Sequence, residues 1–97
     1  MHHNANMEQQ IFIKVSEAIA AHNRNRAKKK MTLNSLGSVV FAGEKLKNEN
    51  TMGQYLSRWQ HGELLHKCKI GHIVRMSQAT GVPISELVLV VTKENSF

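Results

Sequence analysis

Four side chains between Gln54 and Arg58 have the chemistry to read a nucleic acid. On a helix lying in a major groove, the Gln54 carboxamide suits adenine and the Arg58 guanidinium suits guanine, each bonding bidentately. Tyr55 and Ser57 can donate to phosphate oxygens or base edges. Gln54 and Tyr55 also have plainer uses, Gln54 in capping its own helix and Tyr55 in covering a neighbouring turn. A second constellation, His61, His66, Cys68 and His72, gathers potential zinc ligands within twelve residues. Its spacing holds no paired Cys-x-x-Cys or His-x3-His signature, so no metal and no cofactor are expected. There is no Gly-rich phosphate loop, no Asp anywhere, and no Ser–His–acid arrangement with a recognisable context. The chain is therefore not expected to be an enzyme.

Ninety-seven residues are enough for one domain and no second core. A chain this size buries roughly 60–70% of the surface its unfolded form exposes, which sustains a small bundle without staples. The single cysteine, Cys68, leaves no internal disulfide and fits a reducing compartment. No apolar run approaches the ~20 residues that span a bilayer. The start, Met1-His2-His3-Asn4-Ala5-Asn6, lacks the apolar core of a signal peptide. A cytoplasmic location with no membrane partner is the expectation. The net charge of +6 is unevenly spread. From Arg24 to Arg75 eleven Lys or Arg face three Glu, a net +8, while the flanks carry two cations and four Glu, a net −2. Such concentration is the electrostatic footprint of a polyanion binder, or else a solvated basic surface.

These residues must be positioned by helices. Residues before about Glu8 are polar and aperiodic, and a flexible segment is expected over 1–8. Ile11, Val15, Ile19 and His22 recur at helical spacing, with Phe12 and Ala18 widening the stripe, which predicts a first helix from about Glu8 to Asn23. It runs into Arg24-Asn25-Arg26-Ala27-Lys28-Lys29-Lys30, whose cations complement the negative end of a helix dipole and could also meet phosphates. Thr32 predicts an N-cap for a second helix carrying Leu33, Leu36 and Val40 on one face. A polar turn from about Ala42 to Asn50 follows, with Leu46 as its only apolar anchor. Thr51-Met52-Gly53-Gln54 fits a capping box. A helix starting there sets Met52, Leu56 and Trp59 on one face, leaves Gln54, Tyr55 and Arg58 toward the other, and closes at Gly62. Trp59 is expected in the core, with a partner for its indole N–H. A fourth helix from about Ile70 to Thr80 draws on Ile70, Ile73, Val74 and Met76 for apolar contact and stops at Gly81, and Pro83 starts a short fifth. Val88-Leu89-Val90-Val91-Thr92 is either a short strand or the last turn of helix five.

The run Tyr55-Leu56-Ser57-Arg58-Trp59-Gln60-His61-Gly62 is followed by a basic loop and then by Ile73-Val74-Arg75-Met76-Ser77-Gln78-Ala79-Thr80-Gly81-Val82-Pro83-Ile84-Ser85-Glu86-Leu87. This order resembles the second half of Cro/cI-type (lambda-repressor-like) helix-turn-helix DNA-binding domains, and the likeness extends over roughly residues 10 to 88. The resemblance implies an all-α bundle of about five helices in which the helix starting near Thr51 enters the major groove. It then places Gln54, Tyr55 and Arg58 at base edges, and Thr51, Ser57, Lys45, Lys47, Lys67 and Lys69 at phosphates. Leu36-Gly37 stands where the family usually shows Leu-Ala, a small residue that lets two helices approach closely. Two features depart from the pattern. The turn before Thr51 is longer than the family's and longer than a typical ~2–8-residue helix connection. Gly53 stands where many relatives carry a second polar reader, so fewer bases should be read.

The expected organisation is a flexible segment over 1–8, a helix-turn-helix DNA-binding domain over 9–88, and a tail over 89–97 that could join two copies. The expected function is sequence-specific binding of double-stranded DNA by a bacterial or prophage-type transcriptional regulator, repressor-like and nucleoid-associated. Its expected state is a homodimer paired through Val88 to Val91, because a lone strand there would expose an unpaired edge. Two alternatives stand beside it. One is the antitoxin of a toxin–antitoxin pair with the same fold, its protein partner held by the apolar tail. The other is a protein-interaction module that has lost DNA binding.

Overall fold

The computed structural model describes residues 7–46 and 49–94. Along the chain run β1 (Met7–Ile13), α1 (Val15–Asn23), α2 (Leu33–Val40), α3 (Glu49–Gln60), a short 3-10 turn (Leu65–Lys67), α4 (Ile70–Thr80), α5 (Ile84–Leu87) and β2 (Val88–Glu94). Five α-helices thus form the bundle expected, and a two-stranded antiparallel sheet is added to it. None of the described helices is long and apolar enough to cross a membrane.

The sheet corrects the reading of the first helix. Helix begins at Val15, and Met7 to Ile13 instead pair with β2, in register from Met7 opposite Glu94 to Ile13 opposite Val88. The Lys14 N–H then donates to the Leu87 carbonyl at 2.7 Å, fastening the ribbon to the bundle. Ile11, Val15 and Ile19 do have helical spacing, but Ile11-Phe12-Ile13 also suits a strand, and a partner strand about eighty residues later decides the matter. Met7 and Glu8, expected to be flexible, therefore belong to β1, while residues 1–6 lie outside the described residues. The same pairing resolves the tail: Val88 onward is strand, not an extension of α5.

The core is built from Ile13 and Val15 at the β1–α1 junction, Leu36 and Val40 of α2, Leu56 and Trp59 of α3, Met76 of α4, and Leu87 of α5. Burying each such side chain contributes about 1.5–3 kcal/mol. Trp59 is fully buried as expected, and its indole N–H donates to the Leu64 carbonyl at 3.1 Å. Thr32 caps α2 through a reciprocal box: the Ser35 N–H donates to Thr32 Oγ1 at 3.1 Å and the Thr32 N–H to Ser35 Oγ at 2.8 Å. A Cβ added at Gly37 would lie 2.9 Å from Met52 Cβ, so α2 and α3 touch where the small residue was expected. Gly81 closes α4 at φ 78°, with its N–H on the Ser77 carbonyl at 2.8 Å.

One expected apolar contact of α4 is absent. Ile70 is 81% exposed. The buried stripe of α4 is His72, Met76 and Thr80, and Ile70 stands two residues, or about 200°, from its start.

Candidate nucleic-acid interface

α3 begins at Glu49, so Thr51 is already helical and does not serve as the N-cap expected of it. An N-cap requires non-helical backbone, and the reciprocal Thr51–Gln54 box therefore does not form. The helix buries Gly53, Leu56 and Trp59 and leaves Gln54, Ser57 and Arg58 exposed on its opposite side. Tyr55 and Thr51 are half-buried between these faces. The Tyr55 ring stacks on Trp59 at 6.3 Å between centroids and leans on Phe41 at 5.8 Å. It thus covers the start of the long connection between α2 and α3.

Arg58 faces Glu63 across 3.6 Å, with both side chains more than half exposed. Exposed pairs of this kind contribute about 0–1 kcal/mol, so the guanidinium can exchange Glu63 for a stronger acceptor. Two residues past the end of α3 at Gln60, Gly62 turns the chain at φ 78°, where a Cβ would sit 3.0 Å from the Ile11 carbonyl oxygen and 3.2 Å from the Phe12 ring. Gly53 does not occupy an outward reading position. It is buried against α2, and its Cβ would meet Asn34 Oδ1 at 3.0 Å. The absent side chain serves helix packing there.

Lys45, Lys67 and Lys69 are exposed, Lys67 in the 3-10 turn and Lys69 at the N-cap of α4. Lys47 lies outside the described residues.

Leu46 is half-buried against the core, but it is not the only anchor of the long connection. The fully enclosed His72 ring sits 4.7 Å from Phe41 and 5.4 Å from Trp59, centroid to centroid. Its Nδ1 accepts the Lys69 N–H at 3.0 Å, which leaves the ring proton on Nε2, directed at Glu44 Oε2 at 2.6 Å. One turn on, Arg75 donates to the Val40 carbonyl at 3.1 Å and the Ala42 carbonyl at 3.2 Å, satisfying the end of α2. Glu44 lies 3.8 Å from the same guanidinium. Arg75, counted among the basic residues of the central segment, is thus turned onto its own chain. The signal available in the sequence was spacing: His72 and Arg75 lie three apart on one helical face, and Glu44 is an acid in the connection they could reach.

His72 has both ring nitrogens engaged in this way. Cys68 is half-buried beside Ile11, Ile13, Leu65, Ile73 and Val88, and burial pushes its thiol up from 9.0 to about 11. Among the described residues no three His, Cys, Asp or Glu side chains converge as a metal site would require. Comparison with protein-family models, with curated proteins and with solved structures finds no match to this chain.

Proposed function

We propose that this chain binds double-stranded DNA sequence-specifically as a repressor-like helix-turn-helix regulator, with α2 and α3 as the pair and α3 in the major groove. The observation that carries this reading is the face of α3: Gln54, Ser57 and Arg58 look outward together while Leu56 and Trp59 are fully buried behind them. A helix about 10–12 Å across fits a groove about 12 Å wide. Gln54 and Arg58 supply the bidentate groups for adenine and guanine, and Ser57 with Lys45, Lys67 and Lys69 supplies phosphate contacts. The net +8 of the central segment supports the same partner. Selection of bound duplexes from a random pool tests it. A recovered consensus is expected, and failure to retain any duplex at low salt would sink the reading.

A second copy of the chain is the further partner proposed. Because β2 pairs with β1, it does not carry the wholly unpaired edge first expected of it. The ribbon nevertheless exposes Ile11 at 41%, Leu89 at 43% and Val90 at 51%. Twofold helix-turn-helix dimers gain site length by engaging half-sites about 34 Å apart, which gives a second copy a use. Sedimentation tests this. Wild type should associate with rising concentration, and Val90→Lys should remain monomeric with an unchanged thermal midpoint. A wild-type chain that stays monomeric on a palindromic site would leave the ribbon to a different protein, as in the antitoxin alternative.

A further inference from the structure

Five of the seven residues from Arg24 to Lys30 are cationic, and all seven are exposed. This strap between α1 and α2 is tied down at three points. The Asn23 side chain brackets Met31, donating to its carbonyl at 2.9 Å and accepting its N–H at 2.7 Å. His22 Nε2 is bonded to the Lys29 carbonyl at 2.9 Å. Asn25 Oδ1 accepts the Ala27 N–H at 3.0 Å, closing an Asx turn. A ligand meeting this strap does not have to order it first, which removes one of the usual costs of binding.

The five cations do not all face the same way. Lys28 Nζ comes within 3.9 Å of where a Gly81 Cβ would stand, over the carbonyl end of α4 that a cation complements. Arg24 lines a cleft with Glu17 and Glu86. Arg26, Lys29 and Lys30 enter none of the ion pairs found among the described residues, and the first turn of α2 just beyond them contains no acid.

The strap leads straight into the Thr32 cap of α2, a helix of eight residues and so about 12 Å long. At the far end of α2 the chain runs on to Glu44 and Lys45, and the Glu44–His72 bond brings the start of α4, with Lys69, to the same end. Cations therefore stand at both ends of α2, and α3 crosses it between them at Gly37 and Met52. The length of α2 between them, about 12 Å, is close to the width of the major groove.

We infer that Arg26, Lys29 and Lys30 form a second phosphate track, gripping the DNA strand across the groove from Lys45, Lys67 and Lys69. This rests on the reading of α3 as the helix in the groove. Both tracks together would fix the tilt of α3 in the groove, which one track alone leaves free.

The test is the full-length Arg26→Gln/Lys29→Gln/Lys30→Gln variant on the selected duplex, with hydroxyl-radical footprinting and a salt titration. Each phosphate contact contributes about 0.9 to the slope of log affinity against log salt, so a reduction of roughly 2–3 is expected with the consensus unchanged. Protection should disappear mainly from one strand, and a Lys67→Gln/Lys69→Gln variant should lose it mainly from the other. An unchanged slope and footprint, or equal loss on both strands, overturns the second track while leaving the α3 reading intact. A wild-type chain that binds no duplex removes both. Should the triple variant lose its folded signal, Lys29→Gln and Lys30→Gln singly, each lowering the slope by about 0.9, carry the same test.

Discussion

His72 Nε2 and Glu44 Oε2 lie 2.6 Å apart, joining the first turn of α4 to the connection between α2 and α3 across twenty-eight residues of sequence. The bond works because His72 is held in one tautomer by the Lys69 N–H and in one orientation by the Phe41 and Trp59 rings. A connection that is long and polar thus acquires a fixed first half. The lysine that follows Glu44 is presented from a set place rather than from a loose tether.

His72→Ala should destabilise the protein by about 2–4 kcal/mol in urea unfolding, since it opens a cavity between two aromatic rings and strands the Lys69 N–H. Glu44→Gln keeps an acceptor for Nε2–H and should cost under about 1 kcal/mol. Equal damage from the two substitutions would show that charge, not hydrogen-bond geometry, holds the connection.

Cys68 gives a pH dependence of known sign. Its thiol is raised from 9.0 to about 11 by burial, so the folded chain holds this proton more tightly than the unfolded one. The stability it contributes is fully present below about 9 and is lost as pH rises toward about 11. The difference in unfolding free energy between wild type and Cys68→Ala should therefore shrink across that window and stay flat between pH 6 and 8. A difference that grew with alkaline pH would contradict the burial.

The two helical glycines at the α2–α3 contact should respond oppositely to alanine. At Gly37 the new Cβ meets Met52 Cβ at 2.9 Å, next to backbone that cannot swing aside, and overpacking of this kind costs about 1–3 kcal/mol. At Gly53 the nearest atom, 3.0 Å away, is the tip of the exposed Asn34 side chain. That tip can move, and the helix gains up to about 1 kcal/mol of propensity from losing glycine. Thermal midpoints of the two variants, lower for Gly37→Ala and level or higher for Gly53→Ala, check the assignment.

On the proposed DNA face, Arg58→Ala and Gln54→Ala should each weaken the selected site by about 1–3 kcal/mol and relax base preference at one position. Thr51 is not the cap of α3, so the Gln54 substitution should leave helix stability nearly unchanged. Lys67→Ala and Lys69→Ala should weaken every duplex alike. Glu63→Gln releases Arg58 and removes a like charge from the phosphates, so affinity should rise by up to about fivefold, ~1 kcal/mol. An unaltered consensus after Arg58→Ala would take α3 out of the groove.

What the sequence discloses follows the range of the interactions that decide each element. The Thr32 cap, the burial of Trp59 and the Gly81 stop all rest on residues within a turn or two, and each is found where local chemistry puts it. Ile11 continues the helical spacing of Val15 and Ile19, so spacing alone extends the first helix too far, and only β2 reveals that Ile11 is strand. Ile70 is grouped with Ile73, Val74 and Met76 as an apolar contact of α4, yet it is 81% exposed because the buried stripe is His72, Met76 and Thr80. Thr51 and Gln54 satisfy a capping pattern that points to a start at Thr51, but α3 is already helical from Glu49. Spacing puts Gln54 and Arg58 on the outward face of α3, where they stand, but it also puts Tyr55 there, and that ring is half-buried against Trp59 and Phe41. Gly53 as a packing residue is not legible from spacing, because the direction in which α2 approaches is a property of the assembled bundle.

The pairing of β1 with β2 also has a consequence for how the chain is made. β1 precedes every other described element and β2 follows all of them, so a nascent chain holds Ile11, Phe12 and Ile13 without their partner strand until the five helices have emerged. At about 5–20 residues per second, the intervening stretch of some eighty residues corresponds to roughly 4–16 s. Helices form and dock far faster than that. During the interval the apolar Ile11–Ile13 end of β1 has no partner strand on either edge, the form in which chains most readily join one another. The vulnerable stage is therefore the wait for β2, and a chaperone that recognises extended apolar segments would have its site at Ile11 to Ile13.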